Sequence, residues 1–378
     1  MSYRYDVIVV GGGPAGASAA FFLGQAGKRV LVLEAQKMPR YKACGGAVST
    51  GVLEQFPFSF EPVIQSRVQA ISYALGERSV TVPLEDSPLR MVMRSEFDAF
   101  LLQHAQAEIR QGVRVTAVHE RADGVTVQTA AGESLEADFL IGADGANSAV
   151  ARSLDLRRGR LLAAAIEIEA SVPPLTLARF KDAPLLIFGE LGVGYLWIFP
   201  KADHLSVGIG ALHPRPRELQ PVLERVMRRF DIPIQGQPRA GHPIPVFSGP
   251  ERIGTARTML VGDAAGLVDP FTGEGIRFAV KSGRLAADAI LSQHTPGYTA
   301  SVKREIGRIH AGGAALTRVF YRLPRASYEL ALRNPMLSHA LMEMISDRIG
   351  YGDLLWRIVR SFPRYMITRT GAAQTIGV

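Results

Sequence analysis

The run Gly11-Gly12-Gly13-Pro14-Ala15-Gly16 constrains this chain most, because of what stands on either side of it. Ahead of it, Tyr5 to Val10 is short, apolar and β-branched, the pattern of a buried strand. Behind it, Pro14 to Gly27 reads as a small-residue helix and Arg29 to Glu34 as a second strand, so the run sits at the first turn of a β-α-β unit. Gly11 permits the tight turn, Gly13 lets backbone approach a pyrophosphate, and Gly16 lets the helix close on the strand. The helix N-terminus at Pro14 then faces the phosphates. Glu34 ends the second strand about 20 residues further on, where a carboxylate accepts from a ribose 2′-hydroxyl. The pattern predicts dinucleotide binding without separating FAD from NAD.

Two later segments share this logic. Leu260-Val261-Gly262-Asp263-Ala264-Ala265-Gly266 presents the Asp263 carboxylate at the end of a strand, placed to hold a ribityl hydroxyl. Asp269-Pro270 and Gly273-Glu274-Gly275-Ile276 follow, and these glycines open a helix whose N-terminus suits the pyrimidine end of a flavin. Gly142-Ala143-Asp144-Gly145-Ala146-Asn147-Ser148 also follows an apolar strand, and alone it reads as a turn as readily as a site. Taken in this order, the three segments resemble the FAD-binding fold of the aromatic hydroxylase superfamily, over roughly Met1 to Leu291. The resemblance implies tightly held FAD. It also implies that Arg94, heading a helix for which Ser95 is the expected N-cap, reaches the cofactor.

Two further stretches resemble one branch, the geranylgeranyl reductase family. Lys42-Ala43-Cys44-Gly45-Gly46-Ala47-Val48-Ser49 is similar to its cysteine-glycine loop. Gly194-Tyr195-Leu196-Trp197-Ile198-Phe199-Pro200-Lys201, followed by Val207-Gly208-Ile209-Gly210, is similar to its aromatic strand. That family reduces isolated double bonds in the prenyl chains of archaeal lipids, chlorophyll side chains or quinones. The resemblance implies that Cys44, Gly45 and Ala47 flank the flavin, and that Ala15, Glu34, Arg94, Val115, Asp263, Gly275 and Ile276 contact FAD. It stops at about Tyr298, so the substrate-selecting part has no counterpart to compare.

An isolated alkene has no carbonyl to absorb negative charge, so a hydride must arrive together with a proton. A thiol or an ordered water can supply it. Cys44, with Lys42 and open glycine amides nearby, is the candidate donor, since such surroundings activate a thiol; the alternative is a small buried filler. Tyr195, Trp197 and Phe199 alternate along one strand and share a face. They either line an apolar tunnel for a polyprenyl chain or form ordinary sheet core.

The expected fold is α/β: a Rossmann-like FAD-binding domain, an interleaved antiparallel β-sheet substrate domain and a helical C-terminal region. The expected division is FAD-binding over 1–75, 94–160 and 251–295, substrate-domain strands over 76–93, the antiparallel substrate domain over 161–250, and helices over 296–378. A formal net charge of +8 favours anionic partners: phosphorylated substrates or anionic lipid surfaces ahead of nucleic acid, for which no motif is visible. Cys44 is the single cysteine, which excludes internal disulfides and fits a reducing compartment. No apolar run is long enough to cross a bilayer, and the N-terminus enters a strand with no signal peptide. The expectation is a cytoplasmic protein, or one resting on the inner face of a membrane.

Arg348, Arg357, Arg360, Arg364 and Arg369, set among Leu354, Leu355, Trp356, Ile358, Val359 and Phe362, suit an amphipathic helix on such a surface. His104, His119, His204, His213 and His242 follow no ligand spacing and read as surface or loop residues, so no metal is expected. With no second GxGxxG, the electron donor is NADPH binding transiently, or another reductant. Two alternatives stay open: a flavin monooxygenase or halogenase of the same superfamily, and a non-catalytic prenyl-binding protein resembling the Rab escort proteins.

Overall fold

The computed structural model describes residues 4–159, 161–212, 216–249, 251–345, 349–357 and 360. The chain forms two compact units. The first takes Met1–Tyr41, Arg94–Leu162 and Ile244–Ala311; the second takes Lys42–Met93, Ala163–Pro243 and Gly312–Val378. The first crossover falls after Tyr41, where the sequence reading placed it after residue 75. The reason is strand pairing: Ala47–Ser49 pairs antiparallel with Leu89–Val92, which ties the cysteine-glycine loop to the second unit.

In the first unit, five strands run parallel in the order Glu108–Gln111, Val30–Glu34, Tyr5–Val10, Ser134–Gly142 and Thr258–Leu260. Every residue of Val30–Glu34 is buried, as expected for a parallel sheet covered on both faces. Val115–Glu120 and Val125–Thr129 add an antiparallel ribbon to the far side of Ser134–Gly142. Helix Pro14–Gln25 begins with proline at its first turn, where the missing N–H costs nothing. It packs closely on helix Ile276–Leu291: a Cβ at Gly283 would lie 2.3 Å from the Ala15 carbonyl oxygen. Ser18 Oγ donates to the Val280 carbonyl at 3.1 Å across the same contact. One local expectation needs correcting. The helix Arg94–Gln103 already includes Arg94, so Ser95 lies inside it and is not its cap.

In the second unit, seven strands follow the order Arg239–Val246, Leu161–Ala170, Leu205–Leu212, Gly194–Pro200, Leu185–Phe188, Ala70–Leu75 and Arg78–Pro83. One face buries Ile168, Leu196, Ile198, Val207 and Ile209 against Leu219, Leu223, Val226 and Met227 of helix Pro216–Arg229. The alternation of a strand sends Tyr195, Trp197 and Phe199 to the opposite face, as read from the sequence. Helices Arg308–Arg322, Pro324–Arg333 and Pro335–Ile345 and a helical stretch over 351–357 follow. Arg348, Ile358, Val359, Phe362, Arg364, Arg369 and His213 lie outside the described residues. Trp356 is 60% exposed, with the Arg360 guanidinium 5.0 Å from its ring centre.

Candidate active site

The nucleotide-binding features gather in the first unit. Gly11 has φ +103°, and a Cβ there would stand 2.3 Å from the Ala143 backbone oxygen, so only glycine makes this turn. Glu34, 5% exposed, accepts from the Gly12 amide at 2.7 Å and the Gln36 amide at 3.0 Å, which fixes its carboxylate at the strand end. Arg40 lies beside it, with Nε 3.6 Å from Glu34 Oε1 and a terminal nitrogen 3.2 Å from Asp98. Asp98 also takes both forks of Arg94, at 2.7 and 2.8 Å. Arg94, expected to reach the cofactor, is therefore buried and held by a carboxylate one turn along its own helix.

Asp144 divides its two oxygens. Oδ2 accepts from the amides of Ala149 and Val150 at 2.7 and 3.1 Å and so caps the helix Ala149–Ser153. Oδ1 has no hydrogen-bond partner, and burial pushes this carboxyl above the usual range. Asp263 lies in the 3-10 turn Gly262–Ala265. Arg157, which the sequence reading missed, donates to the carbonyls of Asp263 and Ala264 at 2.5 and 3.1 Å and holds that turn in place. A Cβ at Gly275 would stand 3.8 Å from Asp263 Oδ1, which brings Gly275 and Ile276 to the same place as Asp263. Buried His310, also missed, bonds the Leu267 carbonyl at 3.0 Å and approaches Asp269 at 3.3 Å, steadying the Asp269-Pro270 loop. Val115 is the buried first residue of a ribbon strand.

These residues suit FAD. Helices Pro14–Gln25 and Ile276–Leu291 both start without a side-chain cap and without an acidic residue in the first turn. Two helix N-termini with open amides offer one place for a pyrophosphate and one for an electron-rich ring edge.

The second unit gathers the other predicted residues. The Cys44-Gly45-Gly46 backbone lies directly on the aromatic strand: a Cβ at Gly45 would be 2.9 Å from Phe199 and 3.1 Å from Trp197 Nε1. Register explains how Trp197 fits. Trp197 pairs with Gly208, whose missing side chain leaves the space the indole fills, and a Cβ there would stand 2.1 Å from the ring. Trp197 is 7% exposed, donates from Nε1 to Ser206 Oγ at 3.3 Å, and lies between Tyr195, met edge-to-face, and the tilted ring of Phe199.

The sequence reading passed over the charged groups on this face. Lys201, 2% exposed, donates from Nζ to the carbonyls of Gly45 and Val92 at 2.6 and 2.9 Å. Burial pushes its ammonium below the usual range. Glu167 pairs with Gly208 and Glu169 with Ser206, so both carboxylates sit beside the aromatic stripe. Glu167 is 1% exposed and accepts from the Cys44 amide; burial first, then the neighbouring Glu169, push its carboxyl up to about 8. Burial also opposes ionisation of Glu169, but bonds from His204 and Glu167 and the charge of Lys201 hold it below the usual range. His204 corrects an expectation: it precedes its strand as a loop residue should, yet it is only 18% exposed and bonds Glu169 at 3.1 Å. The Glu169 bond raises its affinity for a proton. Among the described residues no His, Cys, Asp and Glu cluster could hold a metal ion.

Comparison with known proteins separates the alternatives. The FAD binding domain family matches residues 4–188. The geranylgeranyl diphosphate reductase of Synechocystis is 30% identical over 404 residues, covering 98% of this chain and 97% of its own. The chain belongs to the geranylgeranyl reductase family. Within the same range, the menaquinone reductase of Mycolicibacterium smegmatis is 28% identical over 94% of this chain and 95% of its own. A geranylgeranyl bacteriochlorophyll reductase-like crystal structure from Thermoplasma acidophilum shares the fold, with TM-score 0.75 and 24% identity over 97% of this chain and 98% of that one. This member of the geranylgeranyl reductase family is an FAD-dependent oxidoreductase, and membership favours the reductase over the halogenase and escort-protein alternatives.

Proposed function

We propose that the protein reduces isolated C=C bonds of a polyprenyl chain carried on a diphosphate, lipid, quinone or chlorin. The observation that carries this reading is the second unit's construction, in which the Cys44 loop is seated on the Tyr195, Trp197 and Phe199 stripe. That arrangement sets a thiol and an apolar surface side by side. The names of the relatives point the same way, since geranylgeranyl diphosphate and menaquinone share an isoprenoid chain. On this reading Gly11, Gly13, Pro14, Ala15, Gly16, Glu34, Arg94, Val115, Asp144, Asp263, Gly275 and Ile276 hold FAD. Cys44, Gly45 and Ala47 belong to the reacting end, and Cys44 carries the proton. Bound FAD, once reduced by NADPH or another donor, supplies the hydride.

Peripheral attachment to an anionic membrane is part of the same proposal. Arg318, Val319, Arg322, Leu323 and Arg325 are exposed around the end of helix Arg308–Arg322, and Val319 and Leu323 are each 62% exposed. Basic side chains around projecting aliphatic ones suit a bilayer surface.

The test is anaerobic. Purified protein with bound flavin is reduced with stoichiometric dithionite and mixed with geranylgeranyl diphosphate. Flavin reoxidation without oxygen, together with hydrogenated product by mass spectrometry, is the expected result. A flavin that stays reduced until air enters would refute the proposal for that substrate class.

A further inference from the structure

A sheet rarely buries one carboxylate beside a second, half-buried one unless the pair does something, because desolvating each charge costs several kcal/mol. Here Glu167 and Glu169 occupy alternate positions of one strand, next to a buried lysine and the only cysteine. The contacts are graded in exposure. Asp203, with an 85% exposed side chain, bonds His204 Nδ1 at 2.6 Å. His204, 18% exposed, bonds through Nε2 at 3.1 Å to Glu169, 16% exposed. Glu169 shares a hydrogen bond with Glu167, which is 1% exposed and takes the Cys44 amide. The contacts thus run from solvent through His204 and Glu169 to Glu167, which meets the Cys44 loop at its backbone amide. Lys201 supplies a buried positive charge near enough to interact with Glu167, Glu169 and Cys44 together.

We infer that Asp203, His204, Glu169 and Glu167 form a proton path from solvent to Cys44, resupplying the proton consumed at each reduced double bond. The inference rests on the reductase reading above. The balance is simple. The S–H bond of Cys44 breaks as a C–H bond forms at the alkene carbon that does not take the hydride. The electron pair of the second new C–H bond comes with that hydride. The thiolate then takes the Glu167 proton across a bridging water, which leaves both glutamates ionised. Glu169 next takes a proton from His204 and passes it to Glu167, and His204 refills from water beside Asp203. One solvent proton enters per bond reduced. The acid pair carries one proton between its members, and Lys201 offsets the charge left on it, so the path returns to its starting state after each turnover. Glu167 and Glu169 act through Cys44 and do not touch substrate.

Because Cys44 is the only cysteine, iodoacetamide alkylation reads its thiolate content at one site and needs no substrate. The experiment compares wild type, Glu167→Gln and His204→Ala from pH 6 to 9, with flavin content measured in parallel. The expected result is that both variants keep FAD and shift the pH dependence of alkylation. Alkene reduction should slow about 100-fold, the scale of a lost proton-transfer group, and added imidazole should restore much of the loss in His204→Ala. His204→Ala, at the exposed end, keeps the test open should Glu167→Gln not fold. An alkylation profile unchanged in both variants, or wild-type turnover in either, overturns the path. A wild-type protein that reduces no prenyl substrate refutes the reductase reading instead, and that outcome is distinguishable because the alkylation profiles are measured without turnover.

Discussion

Glu167→Gln should make the second unit more stable as the pH rises, and its size follows from where the carboxyl sits. In the folded chain this carboxyl is pushed up to about 8, chiefly by burial and next by Glu169, from an ordinary value of 4.5. A group whose affinity for its proton rises on folding contributes stability that is complete below its unfolded value. That stability is lost as pH climbs through the folded value. The loss proceeds at up to about 1.4 kcal/mol per pH unit inside that window. Between pH 5 and 8 the full change would approach about 4 kcal/mol. Coupling to Glu169, whose affinity moves the other way, makes that figure an upper bound. Glutamine keeps the means to accept from the Cys44 amide and to donate to Glu169, but it cannot ionise. Wild type and variant should therefore melt together near pH 5 and diverge above it.

For a unit of this size each kcal/mol moves the melting temperature by about 2–4 °C. The variant should then melt above wild type at pH 8.5, by at most roughly 8–16 °C. Differential scanning fluorimetry in matched buffers measures it. Curves that stay parallel from pH 5 to 8.5 would show that Glu167 is not a neutral buried acid, and the electrostatic account of this face would fail.

Two further outcomes test other parts of the structure. Gly208→Ala places a Cβ 2.1 Å from the Trp197 indole, so the ring must leave its position between paired strands. A cost of about 1–3 kcal/mol and a red-shifted emission, read in a Trp356→Phe background that leaves Trp197 as the only tryptophan, are expected; an unchanged spectrum would contradict the packing. At the exposed patch of Val319 and Leu323, Leu323→Ser should weaken sedimentation with phosphatidylglycerol vesicles about 10- to 100-fold, since a buried Leu contributes about 1.5–3 kcal/mol. Equal binding of wild type to neutral and anionic vesicles would remove the charge argument.

How much of this was legible in the sequence depended on whether the signal was local. Gly11 to Gly16 between Tyr5–Val10 and Pro14–Gln25 was readable because turn, strand and helix are neighbours in the chain. The same holds for the alternation of Tyr195, Trp197 and Phe199. Arg157 and His310 were missed because their work is remote: each supports a loop whose own residues lie about a hundred or about forty positions away. The acid pair was hidden for a sharper reason. In Leu161–Ala170, Ile166-Glu167-Ile168-Glu169 alternates as any half-exposed strand does, so period alone sends the glutamates to water. What reverses that inference is register, which places Glu167 across Gly208 from Trp197, and Glu169 across Ser206 from Phe199. The Cys44 loop then closes over that face, from more than a hundred residues upstream. Alternation gave the face correctly but not what covers it, and covering the face turns Glu167 into a buried acid with Glu169 half-buried beside it. The residues that most need a cofactor to make sense were thus the easiest to find, and those that would move its proton were not.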